Sequence, residues 1–250
     1  MKREVGIRYM KRRSLKGGAL TAPIPPALVT VGNREESNVL TVAWTGILAT
    51  VPPKTYISVR PSRHSHAILS RGREFVINLP SASLAREVDF AGIYTGGKMD
   101  KFERCGFTRV ESEAVEPPTI AECPLSIECR VSDVLPMGSH DVFIADILSV
   151  SCREEFIDGE GKLRFDKMDL LAYAHGEYYR LGERLGRFGF STDKKKRISS
   201  EQKAHDPKPD PAKKKKPFYA GMKKGKSSKP QNKDKGRPHG KRIKKKVEEE

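Results

Sequence analysis

The stretch Asn38–Pro80, NVLTVAWTGILATVPPKTYISVRPSRHSHAILSRGREFVINLP, decides how this chain is read. Successive side chains of a strand point to opposite faces. In Val39–Thr45, Leu40, Val42 and Trp44 therefore share one face, and Val39, Thr41, Ala43 and Thr45 the other. In Thr55–Arg60, Ile57 and Val59 face one way and Tyr56, Ser58 and Arg60 the other. The two strands are joined through Val51-Pro52-Pro53-Lys54, where two prolines force an extended connection. Small residues beside cations make a surface that a flat, phosphorylated ligand can occupy. A half-exposed antiparallel sheet accounts equally well for these strands taken alone.

Outward from that stretch, Ala27–Val31 reads as a short strand and Gly32–Ser37 as a polar turn. Ser65 is placed to cap a short helix, Ala67–Arg71, before a strand Glu74–Asn78. Leu84, Val88 and Ala91 recur at helical spacing, which gives an amphipathic helix over Ser83–Phe90. A small-residue loop Gly92–Gly97, a short helix Asp100–Cys105 and a proline-containing connector Glu111–Thr119 follow. Ser126–Val134 alternates, with Ile127, Cys129 and Val131 inward and Glu128 and Arg130 outward; Asp141–Ser151 is a longer strand, and Asp158–Gly161 a turn. Many short strands with brief helices point to a mainly β fold, a small antiparallel barrel rather than a parallel α/β sheet. Gly96-Gly97 lacks the spacing and the following helix of a dinucleotide fingerprint, which excludes a Rossmann domain.

The formal charge of +16 is unevenly placed. Residues 191–250 hold 22 of the 48 basic and 8 of the 32 acidic groups, a net of +14, which leaves only +2 for residues 1–190. The basicity therefore belongs to an appendage. Lys-rich runs there alternate with Pro, Gly and Ser, and apolar residues almost vanish, so the segment is expected to be a disordered tail. It can attract nucleic acid or another polyanion without reading sequence, or serve only as a solubilising extension. Cys105, Cys123, Cys129 and Cys152 form no CxxC pair and no zinc spacing; no metal site is expected, and reduced thiols suit the cytoplasm. The basic lead, residues 1–14, lacks the apolar core of a signal peptide, no run reaches the length of a membrane span, and Met10 offers a second start.

Nine short segments now stand in a fixed order: TVAW (41–44), SVRPSRHSH (58–66), FVINLP (75–80), REVDFAG (86–92), TG (95–96), DKF (100–102), ECP (122–124), GSHDVFIADI (138–147) and YYRLGE (178–183). Together they resemble the flavin reductase-like family with the FMN-binding split-barrel fold, its flavoredoxin branch in particular, over residues 15–190. The resemblance implies an FMN-binding split β-barrel with short flanking helices. It also implies FMN as cofactor, NAD(P)H as co-substrate and a homodimer, with the redox partner left open. Position by position, it places the backbone and small side chains of Thr41, Val42, Ala43 and Trp44 along the isoalloxazine. Arg60, Ser62, Arg63, His64 and Ser65 fall around the ribityl phosphate, where guanidinium forks, hydroxyls and a helix N-terminus suit phosphate oxygens, and Ser58, beside Arg60 on its strand, is a further cofactor-binding residue. Asn78, Leu79 and Pro80 fall at the ring's edge, and Asp89, Thr95 and Lys101 complete the pocket. The family often has Tyr where this chain has His64, and Thr or Ser where it has Arg63, so the phosphate site is more cationic here or Arg63 faces solvent. His140, in a Gly-Ser-His-Asp turn, is the catalytic candidate, near flavin and nicotinamide, or else a turn histidine bonded to backbone. Tyr173, Tyr178, Tyr179 and Phe188 cover the partner's flavin or pack on their own barrel. Three functions are consistent with these residues: an NAD(P)H-dependent flavin reductase, an electron-transfer flavoprotein reduced by a protein, and a flavin-bearing anchor on nucleic acid.

Overall fold

Seven antiparallel strands in the order β2-β1-β5-β8-β9-β4-β3 form the main sheet of the computed structural model, which describes residues 12–192 of the chain. They are β1 (Ala27–Gly32), β2 (Ser37–Val42), β3 (Thr45–Thr50), β4 (Pro53–Val59), β5 (Glu74–Leu79), β8 (Leu125–Pro136) and β9 (Asp141–Cys152). Two strand pairs stand apart from it: β6 (Arg109–Val110) with β7 (Thr119–Ile120), and β10 (Leu171–Ala174) with β11 (Glu177–Arg180). Three helices accompany the sheet, α1 (His64–Gly72), α2 (Ala85–Ile93) and α3 (Lys101–Cys105). The body ends at Phe188; of the C-terminal unit, Gly189–Glu250, the described part is a short 3₁₀ turn, Phe190–Thr192. The expected disordered tail, and most of the basic lead, lie outside the described residues.

The sheet's first and last strands, β2 and β3, are consecutive in sequence and separated only by Ala43-Trp44. The sheet must therefore curl until its ends approach. The Ser58 N–H donates to the Trp44 carbonyl (2.9 Å), and Thr45 Oγ1 donates to the Tyr56 carbonyl (2.7 Å), which hands the chain from β2 to its new partner β4. This corrects the reading of Val39–Thr45 as one strand. Trp44 does not share the apolar face of Leu40 and Val42; it sits in the break, 37% exposed.

Inside the curl, Val29, Val31, Leu40, Val42, Ile57, Val59, Phe75, Ile77, Cys129 and Phe143 form one core, joined by Ile68 and Leu69 from α1. The alternate residues of β1 and β2, Leu28 and Val39, form a second cluster with Val88 and Ala91 of α2, Phe102 of α3, and Phe107, Ile120 and Leu171. β1 is buried on both faces, and its one polar side chain, Thr30, is satisfied by donating to the Pro118 carbonyl (2.5 Å). Glu128 lies on the outer face as expected, yet it is 1% exposed, because residues 111–118 fold over it and the N–H groups of Glu113 (3.1 Å) and Ala114 (2.6 Å) donate to its carboxylate. Among the described residues, no helix is long and apolar enough to cross a membrane.

Candidate functional site

β4 and β9 run in register until Val59 faces Asp141, so Arg60 and His140 leave the sheet side by side. The chain then turns through Pro61 and Ser62 into α1, with the Arg63 N–H donating to the Arg60 carbonyl (3.0 Å) and the His66 N–H to the Arg63 carbonyl (2.9 Å). His66 Nε2 lies 2.8 Å from Asp141 Oδ2, and its ring meets Phe143 edge-on, which fixes α1 against β9. The helix N-terminus opens into a cavity of about 440 Å³. Its walls are Asn38, Leu40 and Thr41 of β2, Arg60, Ser62, Arg63, His64 and Ser65 around the start of α1, Gly92 in the last turn of α2, Tyr94, Thr95 and Gly96 after it, and Lys101 of α3. That volume falls within the range of small-molecule sites.

The electrostatics are one-sided: Arg60, Arg63 and Lys101 line the cavity, and among the described residues no carboxylate does. Lys101 is 3% exposed, and its ammonium donates to the carbonyls of Val39 (2.9 Å) and Ala91 (2.8 Å). An ammonium has three protons to donate, so a donor remains beyond these two neutral acceptors. Burial, with Arg63 adding to it, lowers the Lys101 pKa to about 8. Together with the free N–H groups expected at a helix start and the hydroxyls of Ser62 and Thr95, this donor set suits a phosphate.

Asn38 and Gly96 shape one wall. Asn38 Nδ2 donates to Ser65 Oγ (2.6 Å), so Ser65 is a buried acceptor inside α1 and not the helix cap expected from sequence; Arg63 holds the cap position without a side-chain bond. A Cβ on Gly96 would lie 2.1 Å from Asn38 Oδ1, so only glycine lets this loop close on the pocket.

Of the residues expected from sequence, Thr41, Arg60, Ser62, Arg63, His64, Ser65, Thr95 and Lys101 meet at this cavity. Val42 points into the barrel core, Ala43 and Trp44 occupy the β2–β3 break, and Ser58 lies in β4 opposite Val142. Asn78 is fully buried, and its amide is engaged within the barrel, so its side chain does not reach a ligand's edge. Leu79 packs on the core, the Pro80 carbonyl accepts the Leu171 N–H (3.1 Å), and the exposed Asp89 accepts from the Tyr178 hydroxyl (3.4 Å). His140 is partly buried with its Nδ1 2.9 Å from Ser139 Oγ; burial and then the charge of Arg60 lower its pKa, which favours the neutral ring. Asn38, Gly92, Tyr94 and Gly96 were not expected; the Thr95-Gly96-Gly97 run was the available signal for the last of these. A larger cleft of about 970 Å³, between residues 158–170 and 181–186, contains none of the expected residues.

Comparison with known proteins points the same way. A family model described as the flavin reductase like domain matches residues 20–182. An uncharacterized protein of Pyrococcus abyssi is 33% identical over 153 residues, covering 61% of this chain and 88% of its own. The FMN reductase (NADH) RutF of Bradyrhizobium diazoefficiens is 23% identical over 131 residues, 52% of this chain and 64% of RutF. Among solved structures, the flavoredoxin of Desulfovibrio vulgaris (Miyazaki F) superposes with a TM-score of 0.68 at 32% identity, covering 74% of this chain and 100% of the flavoredoxin. The FMN-binding protein of Thermus thermophilus superposes with a TM-score of 0.60 at 24% identity, covering 72% and 98%.

Proposed function

We propose, from the premise that this chain belongs to the flavin reductase-like family, that it is an FMN-dependent oxidoreductase taking hydride from NADH or NADPH. The observation that carries the reading is the carboxylate-free cavity at the start of α1, with a buried lysine and two arginines. In this reading Arg60, Ser62, Arg63, His64, Ser65, Thr95 and Lys101 hold the ribityl phosphate. The backbone from Thr41 to Trp44 leads away from that cavity and supplies carbonyl and N–H groups for the ring. Bound FMN supplies the two-electron chemistry at its N5. The protein's part is to seat the ring, to keep the cations on the phosphate, and to present His140 as a neutral hydrogen-bonding group beside Arg60. Exposed Trp44, Ile47 and Leu48 at the sheet's edge support a homodimer as part of the same reading.

The purified protein is expected to carry flavin absorbance that NADH or NADPH bleaches under anaerobic conditions. His140→Ala is expected to retain FMN and to slow that bleaching several-fold. A colourless protein that FMN cannot reconstitute ends the reading. A second reading, electron transfer from a protein donor, is supported by the 32% identity to a flavoredoxin along that protein's whole length. Bound flavin that neither nicotinamide reduces decides for it.

The geometry of Gly96 gives a separate test of the site. Gly96→Ala pushes a methyl group into Asn38 and breaks the bond to Ser65. FMN affinity, read by quenching of flavin fluorescence, is expected to fall at least tenfold, while Tm drops by only a few degrees. Unchanged affinity would remove Asn38 and Gly96 from the binding wall.

A further inference from the structure

His66 follows Ser65 in the first turn of α1, yet it is not among the walls of the cavity. A carboxylate only accepts hydrogen bonds, so His66 donates through Nε2 to Asp141 Oδ2 at 2.8 Å. The pair is largely withdrawn from water, with 16% of the His66 side chain and 21% of the Asp141 side chain exposed. Two further contacts orient the ring: the core residue Phe143 meets it edge-on, with centroids 5.4 Å apart, and the Ser70 hydroxyl lies 3.5 Å from Nδ1. Asp141 itself opens β9, opposite Val59 of β4 on one side and Pro136 of β8 on the other. Its neighbour His140 closes the turn between β8 and β9, where the His140 carbonyl accepts the Met137 N–H (2.8 Å). Met137 is 61% exposed, so little packs over this turn. The place of the His140 ring is therefore set from below, through Asp141.

We propose, resting on the flavin-reduction reading above, that His66 and Asp141 are a positioning pair through which the flavin's phosphate sets the His140 ring for hydride transfer. Phosphate held by Arg63, His64 and Ser65 fixes the first turn of α1. His66 belongs to that turn, and its bond carries the constraint across to Asp141 and so to the adjoining residue. Binding energy from a remote, unreactive part of the substrate is in this way used at the reacting centre. The phosphate then raises the rate as well as the affinity. The reaction is unchanged: a hydride, with both electrons of the nicotinamide C4–H bond, passes to flavin N5 and leaves NAD+ or NADP+ and reduced flavin. Arg60, which lines the cavity and adjoins His140, offers a competing route that bypasses His66.

The test compares protein saturated with FMN and protein saturated with riboflavin, each bleached anaerobically by whichever nicotinamide reduces it. Wild type is expected to reduce bound FMN several-fold faster than bound riboflavin. His66→Ala is expected to slow FMN to the riboflavin rate and to leave riboflavin unchanged. Asp141→Ala, which breaks the same bond from the other side, is expected to do the same. His66→Gln, whose amide can still donate to Asp141, is expected to restore most of the advantage. In the His140→Ala background, His66→Ala is expected to add nothing, because it acts through that ring. An FMN advantage that survives His66→Ala overturns the proposal, as does equal slowing of both flavins, the mark of a merely structural bond. Equal wild-type rates for the two flavins overturn the proposal alone. Bound flavin that neither nicotinamide reduces overturns the hydride reading and the proposal with it.

Discussion

Replacing Lys101 by Met is expected to lower FMN affinity ten- to a hundredfold at pH 7 and to leave the barrel intact. Lys101 is the most deeply buried cation of the cavity, and a charge-assisted bond from it to phosphate is worth about 1.5–3 kcal/mol. Methionine fills the same space and removes the cost of burying a charge, but it leaves the Val39 and Ala91 carbonyls without that donor, so Tm should fall by a few degrees while the protein still folds. The titration gives a sharper check. Burial, with Arg63 adding to it, lowers the Lys101 pKa from 10.5 to about 8. Between those values the unfolded chain keeps a proton that the folded chain has lost, so unliganded stability increases as pH climbs through that window. Bound phosphate reverses the preference, because it raises the ammonium's pKa again. FMN binding must then take up a proton above about pH 8, and its affinity should fall up to tenfold per pH unit beyond that point. Riboflavin, which lacks the phosphate, should show no such slope, and neither should FMN with Lys101→Met. Equilibrium titrations of flavin fluorescence from pH 6.5 to 10 read all three cases. A flat FMN profile in the wild type would remove Lys101 from the phosphate site.

Alternation found β4 and β8 because each buries a regular set of side chains, and that regularity is written locally. It failed at Ala43-Trp44. Counting by twos carried Trp44 onto the face of Leu40 and Val42, and no glycine or proline marks where β2 stops and β3 begins. The break is set by pairing: Thr45 joins β4, a partner the local sequence does not reveal. Glu128 shows the same gap from another side. Its face was read correctly, but the loop that covers it comes from residues 111–118, and no periodicity within β8 records that. At the site, the cations and hydroxyls of Arg60–Ser65 were legible as types that suit phosphate. Asn38 was not, because its role is to reach Ser65 across the fold. Gly96 belongs with it: a glycine pair without dinucleotide spacing reads as a loop until the 2.1 Å approach shows what it makes room for.

Asn78→Ala is expected to destabilise the protein by about 3–5 kcal/mol, and the accompanying flavin content distinguishes two roles for this residue. Asn78 is 0% exposed. Its Nδ2 donates to the Leu28 carbonyl (3.0 Å) in β1, and its Oδ1 accepts from the Ile120 N–H (3.0 Å) in β7 and the Ser126 hydroxyl (2.7 Å) in β8. One amide on β5 therefore satisfies buried groups on three other strands, two in the main sheet and one that packs outside it. Alanine strands all three, and each orphaned group costs about 1–3 kcal/mol in a low-dielectric interior. For a body of this size that corresponds to a fall in Tm on the order of 10 °C. Asn78→Asp should be no better, since it keeps the two acceptor bonds, loses the donor and places a carboxyl against the Leu28 carbonyl. If Asn78 instead held the edge of the isoalloxazine, as the FVINLP segment suggests, Asn78→Ala would lose flavin with Tm almost unchanged. If it braces the barrel, Tm falls while the molecules that remain folded keep their full complement of FMN. Thermal melts and flavin-to-protein ratios on the same samples separate the two.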